Sequence, residues 1–69
     1  MKLKTLSKMI YIPGTLSESR NVKIINHEDN RDIIWKGKAI DLQNSSIINN
    51  EFHFIDILSE YNSIIITVI

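Results

Sequence analysis

The sequence predicts an α+β domain, with a short N-terminal helix packed on an antiparallel sheet of about four strands arranged as two β-hairpins. Three observations carry that prediction. The last seven residues, Ser63-Ile64-Ile65-Ile66-Thr67-Val68-Ile69, are almost continuously apolar and mostly β-branched, a composition that favours an extended strand. Two more strand-like runs, residues 21–26 and 33–40, flank a polar segment at hairpin spacing. Residues 3–12 carry helical spacing and are closed by Pro13-Gly14.

The chain has 69 residues and reads as one domain, without an internal repeat or a linker. A domain of this size buries only about 60% of its unfolded surface. Backbone ordering alone costs roughly 1–2 kcal/mol per residue, so little net stability is left. Small domains commonly add disulfides, a metal or a partner subunit. There is no cysteine, and two histidines do not make a ligand cluster. Self-association or docking on a partner is the remaining device, and no metal or other cofactor is expected.

In the helical segment, Leu3, Leu6, Met9 and Ile10 form the apolar stripe, and Lys2, Lys4, Ser7 and Lys8 the polar back. The same residues also alternate as an opening strand; the helix is the preferred reading. Residues 15–20 are a polar loop. Asn21 to Asn26 is the first strand, with Val22 and Ile24 on one face and Lys23 and Ile25 on the other. His27-Glu28-Asp29-Asn30-Arg31-Asp32 is a turn, and Ile33 to Ile40 returns. Gly37 inside that strand marks a bulge or a close approach by another group.

Residues 41–50 are a connector in which Leu42, Ile47 and Ile48 plug the core, through a short helical turn. Glu51 to Ser59 is the third strand, with Phe52, Phe54, Asp56 and Leu58 alternating onto one face. Residues 60–63 turn into the last strand. There Ile64, Ile66 and Val68 take one face and Ile65, Thr67 and Ile69 the other. Both faces are mostly apolar, so Ile64, Ile65, Ile66, Val68 and Ile69 are the expected self-association residues of a homo-oligomer.

Eight basic and eight acidic residues balance to zero net charge, which counts against nonspecific nucleic-acid binding and leaves a nucleic-acid-binding regulator as a third, weaker reading. No run is long enough for a membrane span or a signal-peptide core, so a cytoplasmic protein without a membrane partner is expected.

The most informative short stretch is Trp35-Lys36-Gly37-Lys38. Lys36 and Lys38 share the face opposite Trp35, and Arg31 lies at the hairpin end of the same strand. Together with Tyr61 these residues are the candidate binding set, an aromatic and basic surface for an acidic partner or a phosphate. The competing reading makes Trp35 core, with Gly37 giving its ring room, and makes the lysines a solvated face. Glu28, Asp29 and Asp32 are explained by turn chemistry. His27 and His53 have no serine elbow of the Gly-x-Ser-x-Gly type to act on. No catalytic residue is assigned, and the chain is not expected to be an enzyme.

The succession of a helix, a Pro-Gly stop, a hairpin with Trp35-Lys36-Gly37-Lys38-Ala39-Ile40-Asp41-Leu42, a polar connector and a closing Asn62-Ser63-Ile64-Ile65-Ile66 strand resembles small phage and prophage accessory proteins of A/T-rich Gram-positive bacteria. The heavy use of Ile, Asn and Lys, whose codons are A/T-rich, agrees with that source. The resemblance implies an inhibitor that binds a host protein, a nuclease or other defence enzyme, inside the host cell. A reading from a different class is an oligomeric sponge holding a nucleotide-like small molecule, with Trp35 or Tyr61 stacking and Lys36, Lys38 or Arg31 on phosphate.

Overall fold

Local sequence sets each element, and the pairing of the strands then sets the layers. In the computed structural model, which describes residues 1–29, 31–60 and 62–69, the N-terminal helix α1 spans Leu3–Ile10. Its inward stripe is Leu3, Leu6, Ser7 and Ile10, at the i, i+3, i+4, i+7 spacing of one helix face. Met9, expected on that stripe, is 73% exposed. Ser7 takes the inward place and is fully buried, its hydroxyl donating to the Lys4 carbonyl at 2.9 Å. The first amides of α1 have no partner within the helix. Leu3 and Lys4 donate theirs to the carbonyls of Asn50 and Ile48, which ties α1 to the distant connector.

Pro13-Gly14 stops the helical segment as expected, and Gly14 turns the chain at φ +78°. A 3₁₀ turn over Leu16–Ser19 follows, capped by the Thr15 side chain. Strand β1 (Asn21–Asn26) then pairs antiparallel with β2 (Ile33–Lys38). The second strand ends two residues earlier than expected, because Ala39–Gln43 coils into a short helix, α2. Ala39 and Leu42 of that helix are buried, so Leu42 is the core plug the sequence indicated, and Ile47 and Ile48 pack beside it. The third strand, β3, is confined to Phe54–Ser59 and forms a hairpin with β4 (Ser63–Val68).

The α+β class, the N-terminal helix and the two hairpins are thus as read from the sequence. The hairpins join side by side in the order β2-β1-β4-β3. Their contact is the β1–β4 pair, which is parallel, so the sheet is mixed rather than wholly antiparallel. The crossover that a parallel pair requires is the segment carrying α2.

Both helices lie on one face of this sheet. Val22, Ile24, Ile64, Ile66 and Val68 meet Leu3, Leu6, Ala39 and Leu42 there, all nine at 3% exposure or less. No element covers the other face among the described residues. Two layers with one bare sheet face is the form that decides where a partner can bind.

Candidate interaction face

Side chains on paired residues of adjacent strands point to the same side of a sheet. On the bare side the registers bring together Lys38 with Asn21 and Ser63, then Lys36 with Lys23 and Ile65, then Ile33 with Ile25 and Thr67. Strand β3 completes the last two rows with Leu58 beside Ile65 and Asp56 beside Thr67. Glu60, one step past the end of β3, donates its amide to the Ser63 carbonyl at 2.8 Å and continues the alternation in the first row. The face therefore carries Lys36 and Lys38 on outer strand β2 with Lys23 next to them, Asp56 and Glu60 on the side of outer strand β3, and an apolar band of Ile33, Ile25, Ile65 and Leu58 that crosses all four strands.

Two β-bulges create this arrangement. In β2 the register slips between Trp35 and Ile33, opposite Ile24 and Ile25, and Ile34 is the extra residue. In β3 it slips between Phe54 and Asp56, with Ile55 as the extra residue. Simple alternation put Asp56 on one apolar face with Phe52, Phe54 and Leu58. The bulge corrects this: Phe54 opposes Val68 on the helix side, and Asp56 opposes Thr67 on the bare side, exposed. A carboxylate that unbroken alternation would have buried is left in water. Its Oδ1 accepts a hydrogen bond from the Ile57 amide at 2.9 Å.

The lysine pair is the electrostatic centre of the face. Lys23 and Lys36 are direct cross-strand neighbours, Lys23 half-buried and Lys36 exposed. Like charges in that relation destabilise a sheet. Neither has a carboxylate within 4 Å among the described residues, where the single ion pair joins the N-terminal amine to Glu51 at 3.1 Å. Asn21, Lys23, Lys36, Ser63 and Ile65 also line a shallow pocket of about 230 Å³.

The candidate residues separate. Lys36 and Lys38 fall on the bare face together. Arg31 is in the hairpin turn at the far end of β2, where its amide donates to Asp29 Oδ1 at 3.0 Å, so it does not share their site. Trp35 is half-buried on the helix side and packs against the core, over Gly37, which is the core reading of that residue. Tyr61 lies outside the described residues. Among the five C-terminal self-association candidates, Ile64, Ile66 and Val68 are at most 1% exposed inside the chain's own core. A side chain with no accessible surface cannot touch another chain, so only Ile65 and Ile69 remain available. Lys23 is the residue that sequence reasoning passed over. Alternation places it on the right face, but its pairing with Lys36 depends on the β2 bulge.

Further apolar surface lies elsewhere: Leu16 is 90% exposed on the 3₁₀ turn, and Ile55 and Ile57 are each 41% exposed on the edge strand β3. Among the described residues there is no group of three metal-ligating side chains, and no helix is long and apolar enough to cross a membrane. The fold and this face together define a small two-layer α+β domain with a charged, partly apolar, uncovered sheet surface. No protein-family model, curated protein or solved structure matches the chain.

Proposed function

We propose that this chain is a non-enzymatic binding protein that recognises an acidic surface of a host protein through the basic half of its bare sheet face. The observation that carries this reading is the unneutralised Lys23–Lys36 pair beside Lys38, together with the apolar band of the face, exposed at Ile33 and Leu58. The repulsion between the two lysines is relieved when a carboxylate or phosphate comes between them, so part of the binding energy is prepared in the free fold. Ile65, Leu58 and Ile33 supply apolar area next to the charges, as in the centre of a protein interface. The resemblance to phage accessory proteins makes a defence enzyme in the host cytoplasm the partner class of choice, and blockade by direct binding the mode of action.

The pocket between Lys23 and Lys36 favours a second reading, in which a nucleotide-like phosphate compound is held there and sequestered. One experiment separates the two. The tagged chain, expressed in a Gram-positive host, is isolated with whatever binds it, and the complex is analysed for protein and for nucleotide. A stoichiometric protein that is lost in the Lys23→Glu/Lys36→Glu variant supports the inhibitor reading. Released nucleotide with no protein supports the sponge. A stoichiometric protein retained by the variant refutes the choice of surface.

A further inference from the structure

We infer that the bare sheet face of the free protein is covered by a second copy of this chain, in a two-fold dimer that lays β2 of each copy over β3 of the other. The inference shares its face with the function proposed above but does not depend on an acidic host partner.

The argument starts from the distribution of charge across the sheet. Strands β2 and β3 are the two outer strands of the order β2-β1-β4-β3. The bare-face side chains of β2 end in Lys36 and Lys38, and those of β3 and its extension are Asp56, Leu58 and Glu60. One outer strand is basic and the other acidic, and between them the inner strands show Asn21, Lys23 and Ile25 on β1 and Ser63, Ile65 and Thr67 on β4. Most stacked arrangements of two such faces gain nothing from that pattern. A two-fold axis lying in the interface and parallel to the strands does gain. It exchanges the outer strands while keeping each row at its own height, so β2 faces the partner's β3 and the inner strands face each other.

In that arrangement Lys38 and Glu60 belong to the same row, the one through Asn21 and Ser63, and meet twice about the axis. Lys36 lies one row from Asp56 and, with a long flexible side chain, reaches it diagonally. Across the centre Ile65 of each copy meets the aliphatic stem of Lys23 of the second copy, and Ile25 meets its Thr67. An isologous contact needs a self-complementary patch, and a face that is basic on one outer strand and acidic on the other meets that condition. The chain's zero net charge leaves no overall repulsion between copies.

Size sets the strength. Strands of six residues, rising about 3.3 Å each and about 4.8 Å apart, give a four-stranded face of roughly 400 Å². Two such faces bury on the order of 800 Å², below the about 1,200 Å² at which standard specific interfaces begin and in the range of weak, transient contacts, so the dimer is weak and reversible. A host partner that takes the lysine edge displaces the second copy, and dimerisation thereby protects the apolar face until the partner is met.

Charge reversal tests the geometry. A basic-edge variant (Lys36→Glu/Lys38→Glu) and an acidic-edge variant (Asp56→Lys/Glu60→Lys) are compared with the wild-type chain by sedimentation equilibrium at low salt, with circular dichroism to verify folding. Each variant alone is expected to dimerise at least tenfold more weakly, because its outer strands now face like charges. An equimolar mixture of the two is expected to form a heterodimer at least as tight as the wild-type dimer. Ile65→Asp should yield a folded monomer, whereas Ile57→Asp, on the helix side of the sheet, should leave the dimer intact. A wild-type chain that is monomeric up to about 1 mM, or a mixture that associates no better than its components, overturns the inference. The acidic-edge variant keeps Lys23, Lys36 and Lys38, so it still captures a host partner if the function proposed above is right. The two proposals therefore fail separately.

Discussion

Replacing Gly37 by alanine should destabilise the domain, although general considerations of backbone freedom argue for the reverse. Gly37 sits in the interior of β2, and its φ is not positive, so its backbone conformation is open to any residue. Gly→Ala at such a site ordinarily stabilises by about 0.5–1 kcal/mol, because the unfolded chain loses freedom. The Trp35 ring reverses the sign. A Cβ built on Gly37 comes within 2.8 Å of Trp35 Cη2 and 3.0 Å of Cζ2, whereas carbon atoms pack best about 3.5–4.0 Å apart. The ring must therefore retreat by about 1 Å from the edge of the core it covers. Overpacking of that kind costs about 1–3 kcal/mol, so the net loss is about 1–2 kcal/mol. For a domain of this length that lowers Tm by several degrees.

Urea unfolding followed by fluorescence reads this directly, since Trp35 is the one tryptophan in the chain. The Gly37→Ala variant should show a lower midpoint at unchanged slope. In a Trp35→Leu background, followed by circular dichroism because the fluorescent residue is gone, the same substitution should become neutral or stabilising, and that change of sign is the coupling between the two positions. A Gly37→Ala variant as stable as wild type or more so, with Trp35 in place, would refute the packing of the ring on Gly37.

Other perturbations test other parts of the structure. Ile66→Ala removes a side chain with no exposed surface on a central strand, and chemical unfolding should report a loss of about 2–5 kcal/mol, whereas Ile65→Ala, one residue away on the bare face, should cost much less. Lys36→Glu turns a repulsive cross-strand pair with Lys23 into an attractive one, so it should raise stability by about 0.2–1 kcal/mol, a gain that shrinks in high salt. Under the proposed function the same variant should also lose affinity for the proposed partner, and a variant that gains stability without losing binding would detach the lysines from that function. Asp56→Val removes the charge from an edge strand that also exposes Ile55, Ile57 and Leu58, and light scattering should detect faster aggregation.

Much of the architecture is legible in the sequence because it depends on local chemistry. Alternation in Ser63–Val68 assigns Ile64, Ile66 and Val68 to one side, and they are the buried set. Pro13-Gly14 stops the first helical segment, and Leu42 reaches the core from the connector. Ser7 reads as polar back in the sequence, yet it takes an inward place. Its spacing from Leu3 and Leu6 is the signal that identifies it, and its hydroxyl tolerates burial by bonding within the helix. The parallel meeting of β1 and β4 could not be read, since strands 37 residues or more apart carry no local mark of their pairing.

What the sequence determined by itself was the kind of each element and the division of its side chains into two sets. Which set faces which layer was decided by tertiary pairing, and at two places by a single extra residue. The Ile34 bulge brings Lys36 opposite Lys23, and the Ile55 bulge sends Asp56 out of the core side and onto the bare side. A one-residue slip reverses the face of every side chain beyond it, and the slip is chosen by the partner strand and the burial it offers, not by the residues within the strand. The basic edge, the acidic edge and the apolar band that crosses the strands exist as one surface only after the two hairpins have joined.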